Sequence, residues 1–209
     1  MKRNIKSIIT TPAVLLCLGF LLQACQRQMP SEKSCNFVMN SSQQRVSWQA
    51  DVPVQLMVHE SVPREAWDAI DEAAEAWNQA LNRTVIEISQ YGVSDPLAKD
   101  EHSIIYYLDE WDQNNPREQA RTSIYWYGRK IIEADVMVNT QNFQFHVTTA
   151  DSVERDKVDL YSLMLHEFGH VLGFAHSDYP DSVMVTELSK GQDRRVVSTQ
   201  DVNFLKCEY

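Results

Sequence analysis

The chain has 209 residues, 44% hydrophobic and 23% charged, enough for one domain with a real core. Its formal net charge of -10 excludes nucleic acid as a main partner, because phosphate recognition needs basic surface. No internal repeat and no low-complexity tract interrupts it. At the N-terminus, Lys2, Arg3 and Lys6 precede the uncharged stretch 7–24, whose apolar centre runs from Ala13 to Leu22. That order reads as an export signal. An uncleaved membrane anchor is the competing reading, since the uncharged stretch is about as long as a membrane span.

The sequence "LLQAC" ends this segment and resembles the lipobox of bacterial lipoproteins, with Ala24 as the small residue and Cys25 as the lipidated one. The resemblance implies that residues 1–24 are a signal peptide and that Cys25 becomes an acylated N-terminus, an attachment to a membrane that is stable only with more than one acyl chain. Gln26 follows where aspartate would mark inner-membrane retention, so the outer membrane or cell surface is the expected location. Loss of residues 1–24 removes three basic residues and no acid, which moves the net charge from -10 to -13. Such a chain favours cationic partners. Residues 25–50, polar and rich in Ser and Gln, read as a lipid-anchored tether, with the domain occupying 51–209. Of the four cysteines, Cys17 lies in the signal and Cys25 at the lipid site. Cys35 and Cys207 remain in a compartment that permits disulfides; either they pair or both are free thiols.

Along the domain, Val52–Glu60 reads as a strand, with Val54, Leu56 and Val58 on one face. Pro63–Asn82 reads as a helix, its apolar stripe made by Trp67, Ile70, Ala74, Trp77 and Leu81. Strands are predicted at Val85–Ser89, Ser103–Leu108, Thr122–Tyr127 and Ile131–Asn139, the last two forming a hairpin around Gly128. Asn142–Asp156 reads as loop, Asp156–Gly173 as a helix, and Ser198–Tyr209 as a short helix with Ser198 as cap and Asp201 three residues on. This order gives an α/β (α+β) domain with a mixed sheet.

The chemistry lies in "LMLHEFGHVLGFAH", Leu163–His176. On a regular helix His166 and His170 are one turn apart on the same face and both reach one small cation. Zinc suits two imidazoles. Glu167 is one step round, close enough to touch a water on the metal without ligating it. The surrounding residues are apolar nearly all round, and buried titratable groups need partners. Gly173 can take a positive φ, end the helix and turn the chain, so that His176 swings back as a third ligand. Three histidines leave a coordination position open for water, the mark of a catalytic site.

"HEFGHVLGFAH" thereby resembles the metzincin metalloproteases, whose pattern is H-E-x-x-H-x-x-G-x-x-H followed by a Met-turn. "SVM" supplies the turn at Met184, and the serine after His176, "EADVMVN" and the terminal segment are similar to the matrixin branch. The resemblance implies a mixed, mostly parallel five-stranded twisted sheet, a long N-terminal helix, an active-site helix and a short C-terminal helix. It implies one catalytic Zn2+ on His166, His170 and His176, Glu167 as general base, Met184 as an apolar floor, and the Thr122–Tyr127 strand as the edge on which a peptide or protein substrate lies. The chain departs from animal matrixins in three ways. No Asp- and Gly-rich stretch like theirs is present, so structural calcium or a second zinc does not carry over; no cysteine-switch propeptide precedes the domain; and Val185 follows Met184 where some metzincins carry tyrosine. The expectation is a zinc-dependent endopeptidase, monomeric because no helix reads as an interaction zipper. The competing classes are a catalytically silent zinc-binding or adhesion module and a cell-wall peptide amidase.

Overall fold

The structure, a computed structural model, describes residues 35–148 and 154–209. The predicted signal peptide 1–24, the predicted lipid site Cys25 and the first part of the predicted tether, 26–34, lie outside the described residues. Strand β1 (Val54–His59) leads through a single 3-10 turn (Arg64–Ala66) into helix α1 (Trp67–Leu81), which returns to β2 (Ile86–Val93). Strands β3 (Ser103–Leu108), β4 (Ala120–Tyr127) and β5 (Lys130–Asn139) follow. The five form one sheet in the order β2-β1-β3-β5-β4. Every pairing is parallel except the β4–β5 hairpin, so β4 is an antiparallel edge. Helix α2 (Leu160–Val171) packs against α1, β4 and β5, and α3 (Thr199–Leu205) closes the chain. This is the expected α+β domain with a mixed five-stranded sheet and three helices.

Local residues mark the starts of α2 and α3 and the end of α1. Asp159 caps α2 by accepting from the Ser162 backbone N–H at 3.2 Å, and Ser198 and Asp201 form a reciprocal capping box on α3. Asn82 ends α1 in the left-handed region, at φ 51°. The predicted start of α2 shifts: Val158–Asp159 is a short strand, β7, paired in parallel with β6 (Phe145–His146). Part of the loop predicted at 142–156 is therefore strand. The cap also explains why the helix waits until Leu160. Asp159 is fully buried and paired with Arg195 through two contacts, at 2.6 and 2.9 Å.

The larger difference concerns the segment read as tether. In the structure Cys35–Ala50 belongs to the domain. Cys35, Phe37, Val46 and Trp48 are buried in the same core as the sheet and helices. The segment folds back on itself through a Met39–Arg45 bridge, pairs Phe37 with Phe174, and pairs Ser47 with Lys130 at the start of β5. Cys35 and Cys207 form a disulfide, which resolves the pairing that cysteine counting leaves open. The reason for the misreading is physical. Only a few apolar side chains are needed to seat a strap whose polar backbone is satisfied by neighbouring elements, and those few are diluted by Ser and Gln.

Candidate active site

The site is built on a helix with almost no wet face. Leu163, Met164, Leu165, Phe168 and Val171 are buried, and so are Ser162 and Glu167. Trp77 of α1 donates its indole N–H to the carbonyl of Leu165 at 2.9 Å, fixing the two helices to each other. His166 and His170 stand one turn apart, as the spacing predicts. Gly173 has φ +97° and ends the helix turn, bringing His176 back over the same spot. A side chain at Gly173 would also meet the Val46 carbonyl at 2.7 Å, so glycine is required twice over.

The three ring nitrogens converge. His170 Nε2 lies 3.0 Å from His166 Nε2 and 3.2 Å from His176 Nε2. The carbonyl of Val183 receives the Nδ1–H of His166 at 2.8 Å, and that of Phe174 receives the Nδ1–H of His170 at 2.7 Å. Both protons are therefore on Nδ1, and both Nε2 atoms present lone pairs to one another. Lone pairs facing at 3.0 Å repel unless a cation lies between them. Nitrogens bound tetrahedrally at 2.0–2.1 Å stand about 3.3 Å apart, close to the spacing here. The donor set thus fits zinc. Burial, and then the neighbouring His170, hold His166 down at about pKa 3 and push His176 below the usual histidine range, so both rings favour the neutral, ligating form.

Glu167 projects from the same helix and is buried. Burial raises its pKa, while His170 and a hydrogen bond from Thr122 oppose the rise. The Thr122 hydroxyl donates to Glu167 Oε2 at 2.6 Å. Thr122 lies in the edge strand β4, opposite Val136 of β5, so the sheet edge and the carboxylate are tied together. The sequence gives Thr122 only as a strand residue; nothing local marks its contact with a helix 45 positions later.

Met184 is fully buried beneath the helix. A Cβ at Gly169 would fall 2.1 Å from its sulfur and 3.2 Å from the Trp77 ring. Gly169 is a residue that the motif does not mark. Its signal was available, because glycine inside a buried helix costs about 1 kcal/mol relative to alanine and needs a packing reason. The turn carrying Met184 is closed by the Ser177 N–H to Met184 carbonyl bond at 2.8 Å. It is held from the other side by Asp201 of α3, which is buried and accepts from the Ser182 hydroxyl and from the Val183 N–H at 3.1 Å. Asp201 also accepts from the N–H and hydroxyl of its own cap, Ser198. Sequence reasoning finds Asp201 as a capping residue and misses this second task.

These groups line a cleft of about 1050 Å³ that runs between β4 and the segment Val183–Ser189 and includes Ile124, Trp126 and Arg194. A second group of possible ligands, Asp95, Asp100 and His102, brings its atoms within 4.8 Å of one another in the loop before β3.

No curated protein matches the sequence. The matrixin family model, Peptidase_M10, matches residues 26–209, nearly the whole chain and every element described above. With its three-histidine site and α+β fold, the chain belongs to the matrixin family of zinc-dependent metalloproteases.

Proposed function

We propose that this chain is a zinc-dependent endopeptidase that hydrolyses extended peptides laid along β4, and that an N-terminal lipid on Cys25 holds it at a bacterial membrane. The observation that carries the catalytic part is the convergence of three imidazole Nε2 atoms beside a buried, Thr122-gripped carboxylate in an open cleft. His166, His170 and His176 hold the ion. Zinc bound there supplies Lewis acidity, which acidifies water and polarises a carbonyl. Glu167 acts as general base: its carboxylate takes a proton from the attacking water and delivers it to the departing amine. The raised pKa supports this role, since a base that must also donate works best with a pKa near the operating pH. Thr122 orients the carboxylate. Met184 packs against α2 at Gly169, a wall and not a ligand. The outer edge of β4 pairs with the substrate backbone.

Anchoring rests on the lipobox resemblance of "LLQAC". Because Cys35 is buried in the domain, the chain available between Cys25 and Cys35 spans at most about 35 Å, which keeps the cleft close to the membrane. Among the described residues no helix is long and apolar enough to cross a membrane. The outer membrane or cell surface remains the proposed location, and a monomer the proposed state.

The deciding experiment compares residues 26–209 with the Glu167→Ala variant, measuring zinc per chain and cleavage of unfolded casein with and without chelator. One zinc in each protein and chelator-sensitive cleavage only by the wild type is the expected result. Bound zinc with no cleavage of casein or of wall peptides would replace the peptidase with a silent zinc-binding module. Cleavage of wall peptides alone would make it an amidase. Cys25→Ala should move the full-length protein from the membrane to the soluble fraction, and an unchanged distribution would remove the lipid anchor.

A further inference from the structure

His166 and His170 are each fixed twice, by the helix backbone and by an Nδ1–H bond to a carbonyl. His176 has no helix or strand to hold it. It sits three residues past Gly173, on a segment without regular secondary structure. Much of what restrains that segment comes from the N-terminal strap. The Val38 N–H donates to the Gly173 carbonyl at 2.8 Å, and the Ala175 N–H donates to the Asn36 carbonyl at 2.8 Å. The Asn36 side chain then donates to the Ala175 carbonyl at 2.9 Å, so Asn36 grips both polar groups of the residue before His176. Phe37 lies edge-on against Phe174, with ring centroids 4.8 Å apart. Asn36 has φ 55°, a left-handed conformation that asparagine tolerates better than most residues.

The strap is pinned immediately before Asn36. Cys35 is buried and bonded to Cys207, two residues past the end of α3. Helix α3 carries Asp201, which holds Ser182 and Val183, and the Val183 carbonyl orients His166. The Cys35–Cys207 bond therefore joins the two supports of the metal site, one behind His176 and one behind His166.

We propose that the strap Cys35–Trp48, latched by this disulfide, positions the zinc site, with Asn36 as the positioning residue for His176. Asn36, 139 positions before Ala175, grips the residue that precedes the third ligand, and adds to the bonds that tie Phe174 to the active-site helix. The inference rests on the zinc reading above. It predicts a property that a plain stability staple lacks: loosening the strap should speed zinc loss out of proportion to any loss of fold.

The test uses full-length protein in detergent and follows zinc release into excess chelator, thermal midpoint, and hydrogen exchange of the Ala175 amide. Asn36→Gly keeps the backbone conformation and the backbone acceptor but removes the side-chain bond. Cys35→Ser with Cys207→Ser removes the latch. Ala73→Gly, in the core face of α1, serves as the control for general destabilisation. Loss of a partner that orients a metal ligand changes metal affinity about 10- to 100-fold. Asn36→Gly should thus release zinc about tenfold faster than wild type and expose the Ala175 amide, with the latch-free protein at least as fast. Ala73→Gly should release zinc at the wild-type rate. If the latch-free protein fails to fold, Asn36→Gly alone decides. Wild-type zinc release in Asn36→Gly, or release that follows the thermal midpoint identically in Ala73→Gly, would overturn the proposal and leave the zinc reading intact. A wild type that holds no zinc would overturn both.

Discussion

Helices α1 and α2 lie against each other, yet they handle charge in opposite ways. Helix α1 is amphipathic: Ala69, Ile70, Ala73, Ala74 and Trp77 are buried, while Asp68, Asp71, Glu72 and Glu75 face solvent. Its carboxylates need no designated partner, because water serves them. Helix α2 has little solvated face, and each polar group on its buried side is assigned a partner. Ser162 has Asp159, His166 has Val183, Glu167 has Thr122 and His170 has Phe174. A buried ionisable group without such a partner would cost several kcal/mol. The polar groups of α2 thus depend on assigned partners, from Asp159 and Phe174 nearby to Thr122 on a distant strand, whereas α1 is maintained by its own periodicity.

Matched substitutions on the two helices should separate these cases. Glu167→Ala is expected to lower kcat/KM by about 100- to 10,000-fold while zinc content is retained, and near-wild-type hydrolysis would remove Glu167 as the base. Next in size is Asp201→Ala, which strips the acceptor from Ser182, Val183 and Ser198. Unfolding in denaturant should show a loss of about 3 kcal/mol, together with weaker zinc binding. Gly169→Ala should cost about 1–3 kcal/mol, since the new methyl group overlaps the Met184 sulfur; a neutral result would mean that Met184 has room to move. Glu75→Gln on α1 forms the other side of the comparison. Glu75 is exposed and, among the described residues, accepts a side-chain bond from Gln79, one turn on, so stability should change by less than about 0.5 kcal/mol and activity not at all.

The pH dependence of the zinc-free protein sharpens the contrast further. The pKa of His166 is lowered in the folded state, to about 3 from 6.5. The unfolded chain therefore takes up a proton first, and the folded state loses stability as pH falls from about 6.5 toward 3. Asp135 works with the opposite sign. Burial raises it to about 7, so its contribution is fully present below 3.8 and is lost as pH rises through 7. Denaturant midpoints of wild type and Asp135→Asn across this range should show a steeper acid-side decline in the variant. Parallel curves would remove Asp135 from the balance.

The structure bears out much of what periodicity promised. The sheet strands, the β4–β5 hairpin, the capped α3 and the convergence of His166, His170 and His176 past Gly173 all follow from residue spacing, because each depends on neighbours within about ten positions. Helix α2 starts four residues later than its pattern predicts, since Val158 and Asp159 pair with Phe145 and His146, a contact that no local pattern announces. The strap reads as tether in sequence because polar residues at Ser41, Ser42, Gln43 and Gln44 hide the hairpin turn that they form.

The donor set is written in local spacing: two histidines and a glutamate on one helix and a third histidine beyond a glycine, at intervals set by the 3.6-residue turn. The support of that donor set comes from chain closure. Thr122 on Glu167, Asp201 on the Met184 turn, Gly169 under the Met184 sulfur and Asn36 on Ala175 are contacts between segments far apart in the chain. Side-chain periodicity encodes which face of an element is apolar. It carries no information about which distant backbone group will meet that face once the chain has closed.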